Sequence, residues 1–382
     1  MVGIAPRYVA ALLLSGAVLG ATRADTFHLA PDGDDAAPGS RTAPWRSIDK
    51  ANATLQAGDT AIFLPGEYPG TIAPVSSGSE GSPITYRSAD PWSARLVPRN
   101  GAWAVRAADS RHLRIEGFAI DGGGSGGWVL ATGCEHLTVA GCRMRDAGPT
   151  MQINDSRQIK LLDNLFSKDR VTGNMVQVQG CSEVLIEGNV LTRVGHSPLQ
   201  ITTCVNVVVR ANCFRNDWGR NYEFWSTGRI LVEDNVVTEA RDSGYSADSR
   251  AKNLYVDGIF RFNRVFGNRH TPLNSGSYLA MGAKPTARHR EPFRLANSRT
   301  YHNTIADNLG NGWQINGLNI SSNIFQNNIF HGNDQAGGKI QFWRGEGISQ
   351  DNRIVANLFR GTEPGQAVIR HGQEEWTAVE AN

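Results

Sequence analysis

One phrase recurs along most of the chain and limits what it can fold into: apolar, polar, apolar, two residues, Asn, apolar. It reads IKLLDNLF (159–166), VLIEGNVL (184–191), VVVRANCF (207–214), ILVEDNVV (230–237), FQNNIF (325–330) and IVANLF (354–359). The Asn column is Asn164, Asn189, Asn212, Asn235, Asn263, Asn303, Asn328 and Asn357, with steps of 25, 23, 23, 28, 40, 25 and 29 residues. Two earlier units fit with Phe118 and Cys142 in that column. A period of this size marks a stacked repeat whose units bury their apolar faces only against one another.

A second phrase lies between these: TMQIN (150–154), MVQVQ (175–179), PLQIT (198–202), YEFWS (222–226), GYSAD (244–248), GWQIN (312–316) and KIQFW (339–343). Gln152, Gln177, Gln200 and Glu223 each stand 12 residues before the next Asn of the first column. Each period holds three short alternating runs, too short for helices and typical of strands. Leucine-rich repeats share the period, but their leucine pattern is absent. The expected fold is all-β: a single-stranded parallel β-helix of about ten coils, right-handed because parallel crossovers overwhelmingly are. At roughly 4.8 Å per coil the rod would be near 50 Å long. The Asn column is expected to supply a left-handed turn residue and to ladder along the axis.

The N-terminal part differs. Arg7, the apolar run at 8–21 and Thr22-Arg23-Ala24 read as an export signal over 1–24, too short to span a bilayer. Residues 25–110 read as an N-terminal cap with a helix over about 44–56, plus the first coils. They form one continuous domain with the repeats of 111–382. The product is expected to be secreted or periplasmic, without a membrane span, and monomeric. Formal net charge is +2, which argues against nucleic acid as a partner. Five cysteines leave at least one unpaired. Cys181 and Cys204 fall one coil apart in an apparently outward column and are expected to be stacked thiols rather than a disulfide.

The opening LAPDGDDAAPGSRTAPWRSIDKANATLQAGDTAIFLPGEY, with GSPITYRS at 81–88, resembles the start of secreted β-helix proteins of the pectate-lyase-like superfamily. That superfamily includes pectate, alginate and chondroitin-B lyases and some epimerases. The resemblance covers most of the chain after residue 24. It implies the right-handed β-helix and a polysaccharide substrate. The Tyr-Gly-Phe-Asp-Pro-His-Glu motif of alginate epimerases is absent, and the fold does not transfer an activity by itself.

Alternation sorts the second phrase into faces. Met151/Ile153, Val176/Val178, Leu199/Ile201 and Tyr222/Phe224 should point inward. The outward residues are Gln152, Gln177, Gln200, Glu223 and Trp225, Ser246 and Asp248, Gln314, and Gln341 and Trp343. Amides bind sugar hydroxyls and Trp stacks on sugar rings. A ladder that only stabilises stacking is the alternative. The flanking turns carry Lys168, Arg193, His196, Arg215, Arg220, Arg250, Lys252, Arg269 and His270, basic walls suited to a uronic-acid polymer. Loop excesses after Ser246 and after Asn263 centre the site on the coils of Glu223 and Asp248.

These residues point to β-elimination on an acidic polysaccharide. Arg220, Arg250 or Lys252 would neutralise the uronate carboxylate, and Lys252 or His196 would take the C5 proton. Glu223 and Asp248 would hold Ca²⁺, with Gln200, Thr202 and the substrate carboxylate completing its shell. The same two acids suit glycoside hydrolysis. A non-catalytic carbohydrate-binding or structural β-helix is the alternative from a different class, and an epimerase on the same fold is a further one.

Overall fold

The computed structural model describes residues 24–382 apart from 123–125, 147–149, 169–172, 194, 216–221, 226, 240–244, 249–254, 269–279, 282–293, 309–312, 318, 334–339, 345–348, 361–366, 372–373 and 378–382. At Trp225, and throughout the strands of Asp248, Gln314 and Trp343, only the backbone is described. The period-2 runs stack in register into a parallel β-solenoid. A first sheet has thirteen strands, from Thr26–Leu29 to Arg353–Val355. A second has twelve, from Gly66–Pro69 to Leu358–Arg360. A third also has twelve, from Trp103–Ala108 to Glu374–Thr377. The ten coils legible from the Asn column each supply a strand of the second sheet; its two earlier strands, Gly66–Pro69 and Ala94–Val97, lie in the divergent N-terminal part.

The core is a set of stacked apolar columns. In the first sheet Ile159, Val184, Val207 and Ile230 follow one another in register and are buried. Ile186, Val209 and Val232 form the parallel column two residues on. Each such side chain contributes about 1.5–3 kcal/mol on burial. The helix α1 (Ile48–Thr54) is shorter than the expected 44–56, starting at an N-cap Ser47 whose hydroxyl accepts from the Lys50 N–H. Before it, the segment through Trp45 runs along the edge of Thr26–Leu29. There His28 and Ala30 donate to the Gly39 and Trp45 carbonyls.

The Asn column does a different job from the expected one. The left-handed residue is the one before each Asn: Asp163, Gly188, Ala211, Asp234, Phe262, His302, Asn327 and Ala356 have φ of 52–70°. The Asn itself is buried. Its side-chain oxygen accepts from the backbone N–H and the side-chain amide of the Asn one coil earlier, as Asn212 does for Asn189 at 2.9 and 3.0 Å. The turn closes through the preceding residue, and the amide satisfies the polar groups that the turn leaves inside.

Three strands per coil also needs correction. From Tyr255–Val256 onward the long strand of the first sheet divides, and a fourth sheet of four strands appears. Part of the excess after Ser246 is therefore this extra strand rather than a loop. Its turn has its own ladder, in which Asn323 accepts from the Ser298 N–H and Asn352 from the Asn323 N–H. The cysteines are corrected too. Cys181 and Cys204 are neighbours in one column, but they are buried at 1% and 3% exposure rather than outward. Both are free thiols. Cys181 donates to Gln179 O, and Cys204 to Thr202 O.

Candidate active site

The third sheet carries the amide column in the predicted register: Gln152, Gln177, Gln200, Glu223 and Ser246 are successive partners. Alternation places their neighbours inside, with Met151, Ile153, Val176, Val178, Leu199, Ile201 and Phe224 all buried. Between Ser246 and Gln314 the column passes through Ala280, in the two-residue strand Ala280–Met281. The sequence reading missed that coil because so short a strand carries no alternation to detect. Gln341 then pairs with Gln314, and Trp343 with Asn316. Trp225 and Asp248 are register partners two residues on.

Four side chains close a ring at one end of this column. Asn174 donates from Nδ2 to Gln200 Oε1 at 2.9 Å. Gln200 donates from Nε2 to Glu223 Oε2 at 3.1 Å. Glu223 Oε2 lies 3.5 Å from His196 Nδ1. His196 Nδ1 lies 2.8 Å from Asn174 Oδ1, which closes the ring. The directions are mutually consistent. Asn174 spends its amide on Gln200, so its carbonyl faces His196 and calls for a donor there. Nδ1, also 3.5 Å from the Ser197 hydroxyl, therefore carries the proton, and the lone pair of the neutral ring lies on Nε2.

Burial separates the two titratable members. Glu223 is 0% exposed, whereas the His196 side chain is 50% exposed. The carboxylate is the inner group and the imidazole the solvent-facing one. The ring joins His196, Gln200 and Glu223, all predicted, to Asn174, which was not. Asn174 lies in the turn before its strand, where alternation gives no signal, and only its approach to the next coil reveals it.

Other predicted residues are placed differently. Lys168 is buried at 3% exposure rather than forming a basic wall, and that burial lowers its pKa. Arg215 is exposed but paired with Glu239 at 2.6 Å. Arg220, Arg250, Lys252, Arg269 and His270 lie outside the described residues, as do the side chains of Trp225, Asp248, Gln314 and Trp343. For calcium, the described donor set is a poor match. Glu223 Oε2 and Gln200 Oε1 already accept N–H bonds from within the ring, and these two side chains supply far fewer than the six to eight oxygens that calcium takes. Among the described residues no group of three His, Cys, Asp or Glu side chains is placed to hold a metal.

Comparison with known proteins fits this architecture. Residues 167–290 match the family described as "Right handed beta helix region". The chain is 23% identical over 317 residues to the uncharacterized protein YwoF of Bacillus subtilis, covering 66% of this chain and 64% of that protein. It is 41% identical over 116 residues to alpha-1,3-galactosidase A of Akkermansia muciniphila, covering 24% of this chain and 19% of that protein. It thus spans under two thirds of the length of either relative. Among solved structures, the GH136 lacto-N-biosidase of Eubacterium ramulus aligns with a TM-score of 0.62 at 11% identity, over 88% of this chain and 68% of that one. The A-module of the Azotobacter vinelandii mannuronan C-5 epimerase AlgE6 aligns with a TM-score of 0.57 at 12% identity, over 85% and 91%. At such identities the likeness is one of fold. The chain has the fold of a right-handed parallel β-helix.

Proposed function

We propose that this protein is a carbohydrate-active enzyme that lays a glycan along the amide column and acts on it at His196. The observation that carries this reading is the closed Asn174–Gln200–Glu223–His196 ring, which orients one half-exposed imidazole over a buried carboxylate. A structural amide ladder has no need of a tautomer fixed in this way. Gln152, Gln177 and Gln200, one coil apart, offer donors and acceptors to successive sugar hydroxyls. The similarity to β-helix enzymes acting on glycans supports the substrate class.

For the reaction, we favour β-elimination on a uronic-acid polymer. Glu223 accepts a hydrogen bond from Gln200 and faces the Nδ1–H of His196. This fits it to orient the ring and to offset the positive charge that the imidazole gains on protonation. His196 Nε2 then takes the C5 proton, the C4–C5 double bond forms as the C4–O glycosidic bond breaks, and the departing oxygen takes a proton from water, while Arg220, Arg250 and Lys252 are the candidates to neutralise the uronate. A second reading, glycoside hydrolysis by Glu223 with Asp248, is favoured by the galactosidase similarity. The protein is incubated with alginate, pectate and glycosaminoglycans, and absorbance from unsaturated ends is followed beside reducing ends. Both should rise, and His196→Ala should abolish both. New reducing ends without the absorbance would establish hydrolysis instead.

A further inference from the structure

We propose that Thr150, two coils before His196, is a positioning residue for that imidazole and acts on it through Asn174. The inference rests on His196 as the acting group of the third sheet. Neither Asn174 nor His196 lies on a strand, so the ladder of that sheet does not by itself set the distance between them. Bonds from the turns do so instead. Gly173, at φ 68°, leads the chain into the strand Val176–Gln179. Its carbonyl accepts the His196 N–H at 3.0 Å, and the Met175 N–H donates to the Ser197 carbonyl at 3.0 Å. His196 is thus held twice by one short turn: at its backbone N–H by Gly173, and at Nδ1, 2.8 Å from Asn174 Oδ1. Attachment at both ends fixes the direction of the imidazole as well as its place.

The Asn174 backbone is held in turn from the coil before it. Its carbonyl accepts from the Thr150 hydroxyl at 2.7 Å. Thr150 is 4% exposed, and its own carbonyl accepts the Trp128 N–H at 3.1 Å. Next to it the Met151 N–H donates to the Met175 carbonyl at 2.9 Å. A β-branched side chain has few χ1 rotamers, so this buried hydroxyl is a fixed donor. It sets the rotation of the Asn174–Met175 peptide, and with it the direction in which the Asn174 side chain leaves the chain.

Both ends of the Asn174 amide are committed, Nδ2 to Gln200 Oε1 and Oδ1 to His196 Nδ1. Turned over, the amide would set its donor against the Nδ1–H and its carbonyl against the Gln200 carbonyl, which fails on both sides. An Asn174 that drifts from this position frees the neutral imidazole to carry its proton on Nε2 instead. That takes the lone pair off the atom assigned to the C5 proton. The Thr150 hydroxyl therefore reaches the tautomer of His196 through the Asn174 main chain and then its amide, across three coils.

The test is nitrogen-15 NMR of the histidine rings in the whole protein at about pH 8.5, above the ordinary histidine range, beside initial rates on the same polymers. The His196 signals are assigned by their loss in His196→Gln. In the parent, Nδ1 should be the protonated nitrogen and Nε2 the bare one. Asn174→Leu keeps the shape and removes both ends of the amide. The two nitrogens should exchange character, and kcat should fall about 10²-fold or more with little change in KM. Thr150→Val removes only the hydroxyl and should give mixed tautomers and a kcat about tenfold lower. Thr150→Ser keeps the hydroxyl and should restore the parent spectrum and most of the rate. A role in packing alone would give the opposite order, since Val fills the site as Thr does and Ser does not. An unchanged His196 spectrum in Asn174→Leu or in Thr150→Val would overturn the proposal and leave the Ser197 hydroxyl, 3.5 Å from Nδ1, to set the tautomer. Exchanged nitrogens with undiminished turnover would uphold the hold of Thr150 and Asn174 on the ring and overturn His196 as the acting group.

Discussion

Gln200 and Glu223 are register partners on adjacent coils, and the first donates from Nε2 to Oε2 of the second at 3.1 Å. The repeat that elsewhere stacks amide on amide here sets an amide against an acid. With the acid fully buried and an imidazole 3.5 Å away, the strip changes from a ladder into a site.

Replacing Glu223 by Gln tests that change. The variant keeps the shape and can still hydrogen-bond to Gln200, so its urea midpoint should move little. It loses the charge that faces the His196 Nδ1–H. Turnover of the preferred polymer should fall by about 10²-fold or more, chiefly in kcat, measured by initial rates at saturating polymer.

Calcium provides a separate check. Glu223 Oε2 already accepts from Gln200, Gln200 Oε1 already accepts from Asn174, and the two side chains fall well short of the six to eight oxygens calcium takes. We expect no calorimetric heat for Ca²⁺ with or without polymer, and rates unchanged by a chelator. A calcium heat that appears only with polymer would show that the substrate carboxylate rebuilds the shell.

The stacking direction, the inward columns and the amide register were all legible, because period-2 alternation and a 12-residue spacing survive from coil to coil. Two things were not. The left-handed position was read one residue late: Asp163, Ala211, Phe262 and His302 have nothing in common as residues, whereas the Asn beside each is constant. Asn174 was missed because it acts across coils from a turn. Cys181 and Cys204 were placed outside because they too belong to a turn, where alternation no longer sorts faces.

The Asn ladder predicts a steep stability cost. Asn235 accepts from the Asn212 backbone and side chain at 3.0 Å and donates to Val209 O and Asn263 Oδ1. Asn235→Ala leaves buried donors and acceptors without partners on both neighbouring coils, at a cost of about 2–4 kcal/mol. Ala356→Gly, at φ 52°, should instead be neutral or stabilising by up to about 1 kcal/mol. Urea denaturation of the two variants should move the midpoint in these different directions.

A pH dependence of stability follows from the stacked pair His112 and His136, whose ring centroids are 4.2 Å apart. Burial first, and then the charge of His136, hold the His112 pKa below the ordinary histidine value; Arg111 adds to this, and Glu135 and Glu80 oppose it. The folded chain therefore takes up the His112 proton less readily than the unfolded chain does. Above about pH 6.5 both states are neutral at this residue and nothing is lost. As pH falls through about 6.5 toward the lower folded value, the unfolded state binds the extra proton first and stability declines. Below the folded value the loss is complete. His112→Asn removes the titrating group and suits the left-handed backbone at φ 49°. Urea midpoints measured from pH 7.5 down to pH 5 should therefore fall less steeply in His112→Asn than in the parent. Parallel curves would mean that the pair protonates without strain and that the acid sensitivity of the fold lies elsewhere.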